Sequence, residues 1–230
     1  MKQVLVTGGC GFIGSHLVDK LLGEGFKVIV IDNCSTGRVK NLVHIKHNDS
    51  LKIIVKDLND PALNLEEITT QVDYVYHLAA LADIVPSIQQ PHNYYRSNVE
   101  ATFRLIESCK NKPNIKKFLY AASSSCYGIP DKYPTPETAE IRPEYPYALT
   151  KRLGEEIVLH WGKLYKIPVV TCRFFNVYGP RSRTSGTYGA VFGVFKLGKN
   201  VRKIKSSVYA PAKVDDPDLI DDDDEFDQKS

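Results

Sequence analysis

Tyr147 and Lys151 stand four positions apart in a segment whose apolar residues Leu149, Leu153, Ile157 and Leu164 recur on a helical period. On a helix that spacing puts both side chains on one face. A phenol titrates near about pH 10 and is a poor base at neutrality. A cationic lysine beside it favours the phenolate and draws its titration toward the working range. Upstream, the run Ser123-Ser124-Ser125 follows a strand-like stretch. A hydroxyl there can hydrogen-bond the same substrate oxygen that the tyrosine deprotonates.

A second constellation lies at the start of the chain. The run Thr7-Gly8-Gly9-Cys10-Gly11-Phe12-Ile13-Gly14 sits between a strand-like and a helix-like segment, the context a phosphate-binding loop requires. Gly8 permits a tight turn, Gly11 lets the backbone approach a pyrophosphate, and Gly14 lets helix and strand pack closely. The helix beginning near Phe12 turns its N–H groups and positive dipole end toward the phosphates. Asp32 ends the next strand, placed to accept from ribose hydroxyls and to repel a 2′-phosphate, so NAD is expected over NADP. Arg38 in the same loop softens that preference. Asp57 has two readings, a contact to the adenine ring or a cap for the helix that follows.

These residues need a scaffold, and the hydropathy pattern supplies one. Gln3–Val6, Lys27–Ile31, Lys52–Val55, Tyr74–Leu78, Lys117–Ala122 and Val169–Arg173 read as strands, most of them continuously apolar as parallel strands buried on both faces are. Phe12–Leu22, Pro91–Asn111 and Tyr147–Tyr165 read as helices. The alternation predicts an α/β fold, a doubly wound parallel sheet of the Rossmann type with right-handed crossovers. The proline-rich stretch Gly128–Pro146 reads as a long loop bordering a site. Three regions are expected: residues 1–180 form the dinucleotide-binding domain with the catalytic residues, 181–200 begin a substrate-binding region, and 201–230 are a basic, then acidic, disordered tail. A docking role for that tail is the lesser alternative.

Composition narrows the function classes. The 230 residues carry a formal charge of +3, which hides an asymmetry. Residues 215–230 hold nine acidic side chains, and the rest of the chain has 29 basic against 18 acidic residues. A positive body suits phosphate-bearing small molecules, and with no aromatic-basic cluster or nucleic-acid motif a nucleic-acid partner is not expected. No apolar run is long enough to span a bilayer, and no signal peptide is expected at the N-terminus. Five scattered cysteines without a C-x-x-C pair predict free thiols, no metal site and a cytoplasmic setting. His44 and His47 lack a third ligand and read as solvated. His77 ends a strand beside the cofactor cleft and reads as packing there, a catalytic role being the lesser alternative. Trp161 and Tyr165 read as packing residues.

Taken together, T-G-G-C-G-F-I-G at 7–14, D-N-C-S-T-G-R at 32–38, H-L-A-A at 77–80, S-S-S-C-Y-G at 123–128, Y-A-L-T-K at 147–151 and R-F-F-N-V-Y-G-P at 173–180 resemble the extended short-chain dehydrogenase/reductases. The branch resembled is that of the NAD-dependent sugar-nucleotide epimerases and dehydratases, over about residues 1–200. The resemblance implies that Tyr147 is the catalytic base, that Lys151 tunes it and binds the nicotinamide ribose, and that Ser123 is the third catalytic residue. It implies cofactor contacts from Gly8, Gly11, Phe12, Ile13, Gly14, Asp32 with Asn33, Asp57 with Leu58, Ala79, Ala80, Asn98, Tyr147, Lys151 and Phe174, with Phe175 flanking the cofactor. Asn176 and Ser123 are implied on the substrate, Asn176 at the diphosphate of a nucleotide-sugar.

Within the branch, dehydratases and decarboxylases carry an acidic residue two positions before the Tyr-Gly pair. Here that position is Ser125, which favours epimerisation at C4 of a UDP-hexose or UDP-N-acetylhexosamine. The stretch Gly37-Arg38…Asn41-Leu42 and the run Gly189-Ala190-Val191-Phe192 also resemble UDP-hexose 4-epimerases. A homodimer through the two long helices is implied as well. Relatives continue with a region closing over the sugar nucleotide, and nothing in Val201–Ser230 resembles it. Two readings therefore stand: a working epimerase, or a truncated NAD-binding module with little catalysis. Another reductase or dehydratase of the same branch is a further alternative.

Overall fold

Six strands form one parallel sheet: β1 (Gln3–Thr7), β2 (Lys27–Asp32), β3 (Leu51–Val55), β4 (Tyr74–His77), β5 (Lys117–Ser123) and β6 (Val169–Phe174), in the order β3-β2-β1-β4-β5-β6. All six match the expected strands to within a residue or so at either end. The computed structural model describes residues 1–182. The expectations for the rest of the substrate region, its Gly189–Phe192 run and the tail lie outside the described residues.

The continuous apolar runs have their explanation in the two faces of this sheet. Val4, Val6, Val28 and Val30 point to one side and pack with Val18, Leu21 and Leu42. Leu5, Ile29, Ile31, Val75 and Phe118 point to the other, against Leu105, Ile106 and Val158. Along the inner strands β1 and β2 neither face meets water, so neither alternates with polar residues. Each such fully buried side chain contributes about 1.5–3 kcal/mol relative to exposure.

Helix α1 (Phe12–Gly23) covers the first face, and α5 (Ala101–Ser108) and α6 (Pro146–Tyr165) cover the second. Three short helices precede α5: α2 (Leu65–Thr70), α3 (Ile84–Gln89) and α4 (Pro91–Tyr95). The single helix expected over Pro91–Asn111 is instead α4, a π-helical turn at Arg96–Glu100, and α5, ending at Ser108. Sequence periodicity does not reveal α2, though its capping pair does: the Asn64 side chain accepts from the Glu67 N–H at 3.1 Å. Gly128–Tyr145 contains no helix or strand, as the prolines suggest. No helix among the described residues is long and apolar enough to cross a membrane.

The chain runs outward from β1 to β3 and then, through β4, outward in the other direction to β6. Where the direction reverses, the carboxyl ends of β1 and β4 open a crevice, the position at which such sheets hold ligands. Register fixes what meets there: Thr7 of β1 pairs with His77 of β4, His77 with Tyr120 of β5, and Ser123 of β5 with Phe174 of β6.

Candidate functional site

The crevice is lined by Gly8, Gly11, Phe12, Ile13, Gly14, Asp32, Asn33, Asp57, Leu58, Ala79, Ala80 and Phe174, twelve residues expected at a dinucleotide. The turn after β1 is tight: Gly8 takes φ +71°, and a Cβ on Gly14 would stand 2.1 Å from the Gly8 carbonyl oxygen. Only with hydrogen at Gly14 does α1 start this close to the strand. No side chain caps α1 and its first turn holds no acidic residue, so its amide end faces the crevice without a competing anion. These features fit a pyrophosphate.

Asp32 is held by its neighbours. One carboxylate oxygen accepts from the Cys10 N–H at 2.9 Å and the other from the Cys34 N–H at 2.8 Å. Asn33 donates to the Asp57 carboxylate at 2.8 Å, and Asp57 also accepts from the Asn59 N–H. Asp57 lines the crevice and closes a local turn; it does not cap the helix that follows, whose cap is Asn64. Ser35, Thr36, Lys56 and Ser97 line the crevice too and escape motif reading. Ser35 and Thr36 fall inside the quoted D-N-C-S-T-G-R run, which was the available signal. Lys56 is paired with Asp60 at 2.9 Å.

Beyond Phe174 and Ala121 of the crevice wall, the structure brings the catalytic candidates together. Tyr147 Oη donates to Ser123 Oγ at 3.3 Å, and Ser123 Oγ lies 2.8 Å from Ser125 Oγ. The Tyr94 ring meets Tyr147 edge-on at 6.4 Å. Lys151 is buried one turn further along α6, its ammonium 4.3 Å from the centre of the Tyr120 ring. Burial pushes that ammonium down to about 7, with Glu155 working the other way.

Other expected residues are placed differently. Asn98 is fully buried in the π-helical turn and spends its amide on the loop after β4. It accepts from the Leu81 N–H at 2.8 Å and donates to the Leu81 carbonyl and to Thr150 Oγ1. It is not part of the crevice wall. Phe175 and Asn176 follow β6 on the exposed surface, also outside the wall. His44 is paired with Asp19 at 2.8 Å.

One buried network has no motif to announce it. Glu155 is 2% exposed and accepts from Thr171 Oγ1 and Arg173 Nε, while a guanidinium nitrogen of Arg152 donates to it at 3.1 Å. Arg173 in turn donates to Tyr127 Oη at 2.7 Å. Through this chain α6 is fastened to β6 and to the turn that follows Ser123.

Comparison with known proteins agrees with this fold. Residues 4–208 match the model of the NAD dependent epimerase/dehydratase family. UDP-glucuronic acid decarboxylase 1 of Arabidopsis thaliana is 36% identical over 216 residues, covering 92% of this chain and 47% of that protein. The UDP-N-acetylglucosamine 4-epimerase of Methanobrevibacter ruminantium M1, solved with UDP-N-acetylmuramic acid, is 42% identical with a TM-score of 0.79. That match covers 84% of this chain and 61% of the other. The UDP-glucuronic acid 4-epimerase of Bacillus cereus, solved with UDP-glucuronic acid and NAD, is 31% identical with a TM-score of 0.78, covering 85% of this chain and 63% of the other. The chain thus spans about half to two thirds of the length of these relatives. With its glycine loop, its held Asp32 and its paired Ser123 and Tyr147, the chain belongs to the NAD dependent epimerase/dehydratase family, whose cofactor is NAD.

Proposed function

We propose that the protein epimerises a nucleotide-diphosphate sugar at C4, with a UDP-hexose or UDP-N-acetylhexosamine as substrate. The observation that carries this is the contact between Tyr147 Oη and Ser123 Oγ at the end of the crevice. When bound, NAD supplies a hydride acceptor that takes hydrogen from the sugar carbon and returns it to the other face. The glycine loop and the amide end of α1 hold the pyrophosphate, and Asp32 and Asn33 take the adenosine ribose. Tyr147 removes the proton of the 4-hydroxyl, and Ser123 holds the same oxygen, so position and proton transfer coincide. Protonated Lys151 favours the phenolate of Tyr147.

Ser125 supports epimerisation over its alternatives. The position where the resemblance expects an acid in dehydratases and decarboxylases holds a hydroxyl, and that hydroxyl is spent on Ser123. Elimination or decarboxylation would lack its acid/base partner. A homodimer through α5 and α6 and a cytoplasmic setting belong to the same proposal. The exposed Phe103, Leu149 and Leu159 on those helices support the first, and five free cysteines the second. The exposed position of Asn176 favours a second reading, an NAD-binding module that leaves the sugar unheld.

Incubation of the purified chain with UDP-glucose, UDP-galactose and their N-acetyl forms tests the proposal. Interconversion that disappears in Tyr147→Phe is expected. Tight NAD binding without conversion of any of the four would overturn the epimerase reading in favour of the module.

A further inference from the structure

His77 is fully buried at the end of β4, and both ring nitrogens are engaged. Nδ1 lies 2.7 Å from Thr7 Oγ1, and Nε2 lies 2.8 Å from Thr102 Oγ1. The neighbours of these hydroxyls decide which nitrogen carries the proton. Thr102 Oγ1 donates to the Asn98 carbonyl at 2.7 Å, so its single proton is committed and it receives from His77 Nε2–H. Thr7 Oγ1 accepts from the Ala79 N–H at 3.3 Å and gives its own proton to Nδ1. Every proton then has one acceptor.

Further bonds anchor both ends, the relay of donors itself stopping at the Asn98 backbone carbonyl and the next bond starting from the Asn98 side-chain amide. Ala79 lines the cofactor crevice. At the other end Asn98 donates to Thr150 Oγ1, which donates to the carbonyl of Tyr147 at 2.9 Å. We propose that His77 is a positioning residue which, as its neutral Nε2–H tautomer, ties the crevice wall at Ala79 to the helix turn that carries Tyr147; this rests on the NAD-binding reading above. The imidazole is an apt link because it bridges donor and acceptor across a rigid ring. Two hydroxyls alone would leave a gap, and a buried amide would have a second N–H to satisfy.

The titratable groups facing the ring are Tyr120, whose ring centre is 5.6 Å away on β5, and Lys151 on α6. Burial, with the Lys151 ammonium adding to it, holds the imidazole down to about 3. The link therefore keeps its direction throughout the physiological range.

The test has two arms on the full chain. In the first, ¹⁵N-histidine spectra of the wild type, with His77 assigned by its loss in His77→Phe, report the tautomer. A Nε2–H form unchanged between pH 5 and 8 is expected, and a Nδ1–H form or protonation in that range overturns the proposal. In the second, NAD affinity is measured by calorimetry for His77→Phe, Thr102→Val and the double variant. Each single change is expected to weaken binding by about tenfold, as loss of a buried hydrogen bond does, and the double by no more than either. Thr102→Ser, which keeps the hydroxyl, is expected to bind as the wild type does. Folded single variants with unchanged affinity, or losses that multiply, overturn the positioning role. A wild type that binds no NAD overturns the cofactor reading instead, and the tautomer then judges the chain of bonds by itself.

Discussion

The hydroxyls of Tyr147 and Ser123 meet at 3.3 Å although 24 positions separate them in the chain. One is carried at the start of α6 and the other at the end of β5, with the loop Gly128–Tyr145 between. Their meeting depends on α6 lying flat against β5.

Tyr147→Phe removes the proposed base and leaves the ring packing intact. Turnover is expected to fall by about 10²–10⁴-fold, the usual span for a lost general base. NAD affinity, measured by calorimetry, should fall far less than turnover. Ser123→Ala is expected to cost about a hundredfold, because one donor to the reacting oxygen is lost. Equal turnover in either variant and the wild type would remove that residue from the site.

Stability should respond to pH through two buried bases. Burial lowers Lys151 to about 7 and His77 to about 3, so in each case the unfolded chain holds its proton to higher pH than the fold does. Where the unfolded state binds more protons, stability rises with pH. His77 therefore makes the fold less stable as pH falls from about 6.5 toward 3. Lys151 makes it more stable as pH rises from about 7, while the buried thiols, which ionise at about 8.5 in the unfolded chain and higher in the fold, act in the opposite sense. In denaturant melts the stability of the wild type relative to Lys151→Met should rise between pH 7 and 9, the thiols being common to both chains.

Gly154 lets α6 approach its neighbours. A Cβ there would stand 2.4 Å from Tyr120 Oη and 3.0 Å from the Asn98 carbonyl oxygen. Gly154→Ala is expected to cost about 1–3 kcal/mol despite its better helix propensity, the penalty of forced overpacking. Adding Tyr120→Phe removes the nearest atom and should recover part of the loss in urea titrations. A stabilised Gly154→Ala would mean that α6 sits further from the sheet.

Glu155→Gln leaves Arg173 and Arg152 without their shared buried carboxylate. Arg152 keeps its pair with Glu156 and both guanidinium groups reach water in part, so the cost is expected at about 1–3 kcal/mol, that of unsatisfied buried donors on Arg173. Glu156→Gln, whose carboxylate is exposed on the same helix, serves as the control and should shift stability by under about 1 kcal/mol. Equal midpoints for the two variants would show that the network holds nothing together.

Local and nearest-neighbour physics was readable without coordinates. Runs such as Val4-Leu5-Val6 and Val28-Ile29-Val30 are apolar on both faces, so they declare a buried parallel sheet before any pairing is known. The glycines at 8, 11 and 14 and Asp32 at the end of β2 belong to one β–α–β unit, whose short connections leave little choice of geometry. The four-residue spacing of Tyr147 and Lys151 likewise defines a shared helical face.

Long-range packing was not readable. The resemblance implies Asn98 near the cofactor, but no spacing reveals the bonds its side chain makes inside the fold, to Leu81 and Thr150. Lys151 shares a helix face with Tyr147 in the sequence, and only the close packing that Gly154 allows buries its ammonium over Tyr120. His77 opens the H-L-A-A run, yet neither its bonds nor those of Glu155 are legible there, because the partners, Thr7 and Thr102 for one and Thr171 and Arg173 for the other, come from separate strands and helices. Sequence periodicity records which face of an element is apolar. The identity of the group across that face, and with it tautomer, charge state and reach, is decided only when the sheet and its helices close on one another.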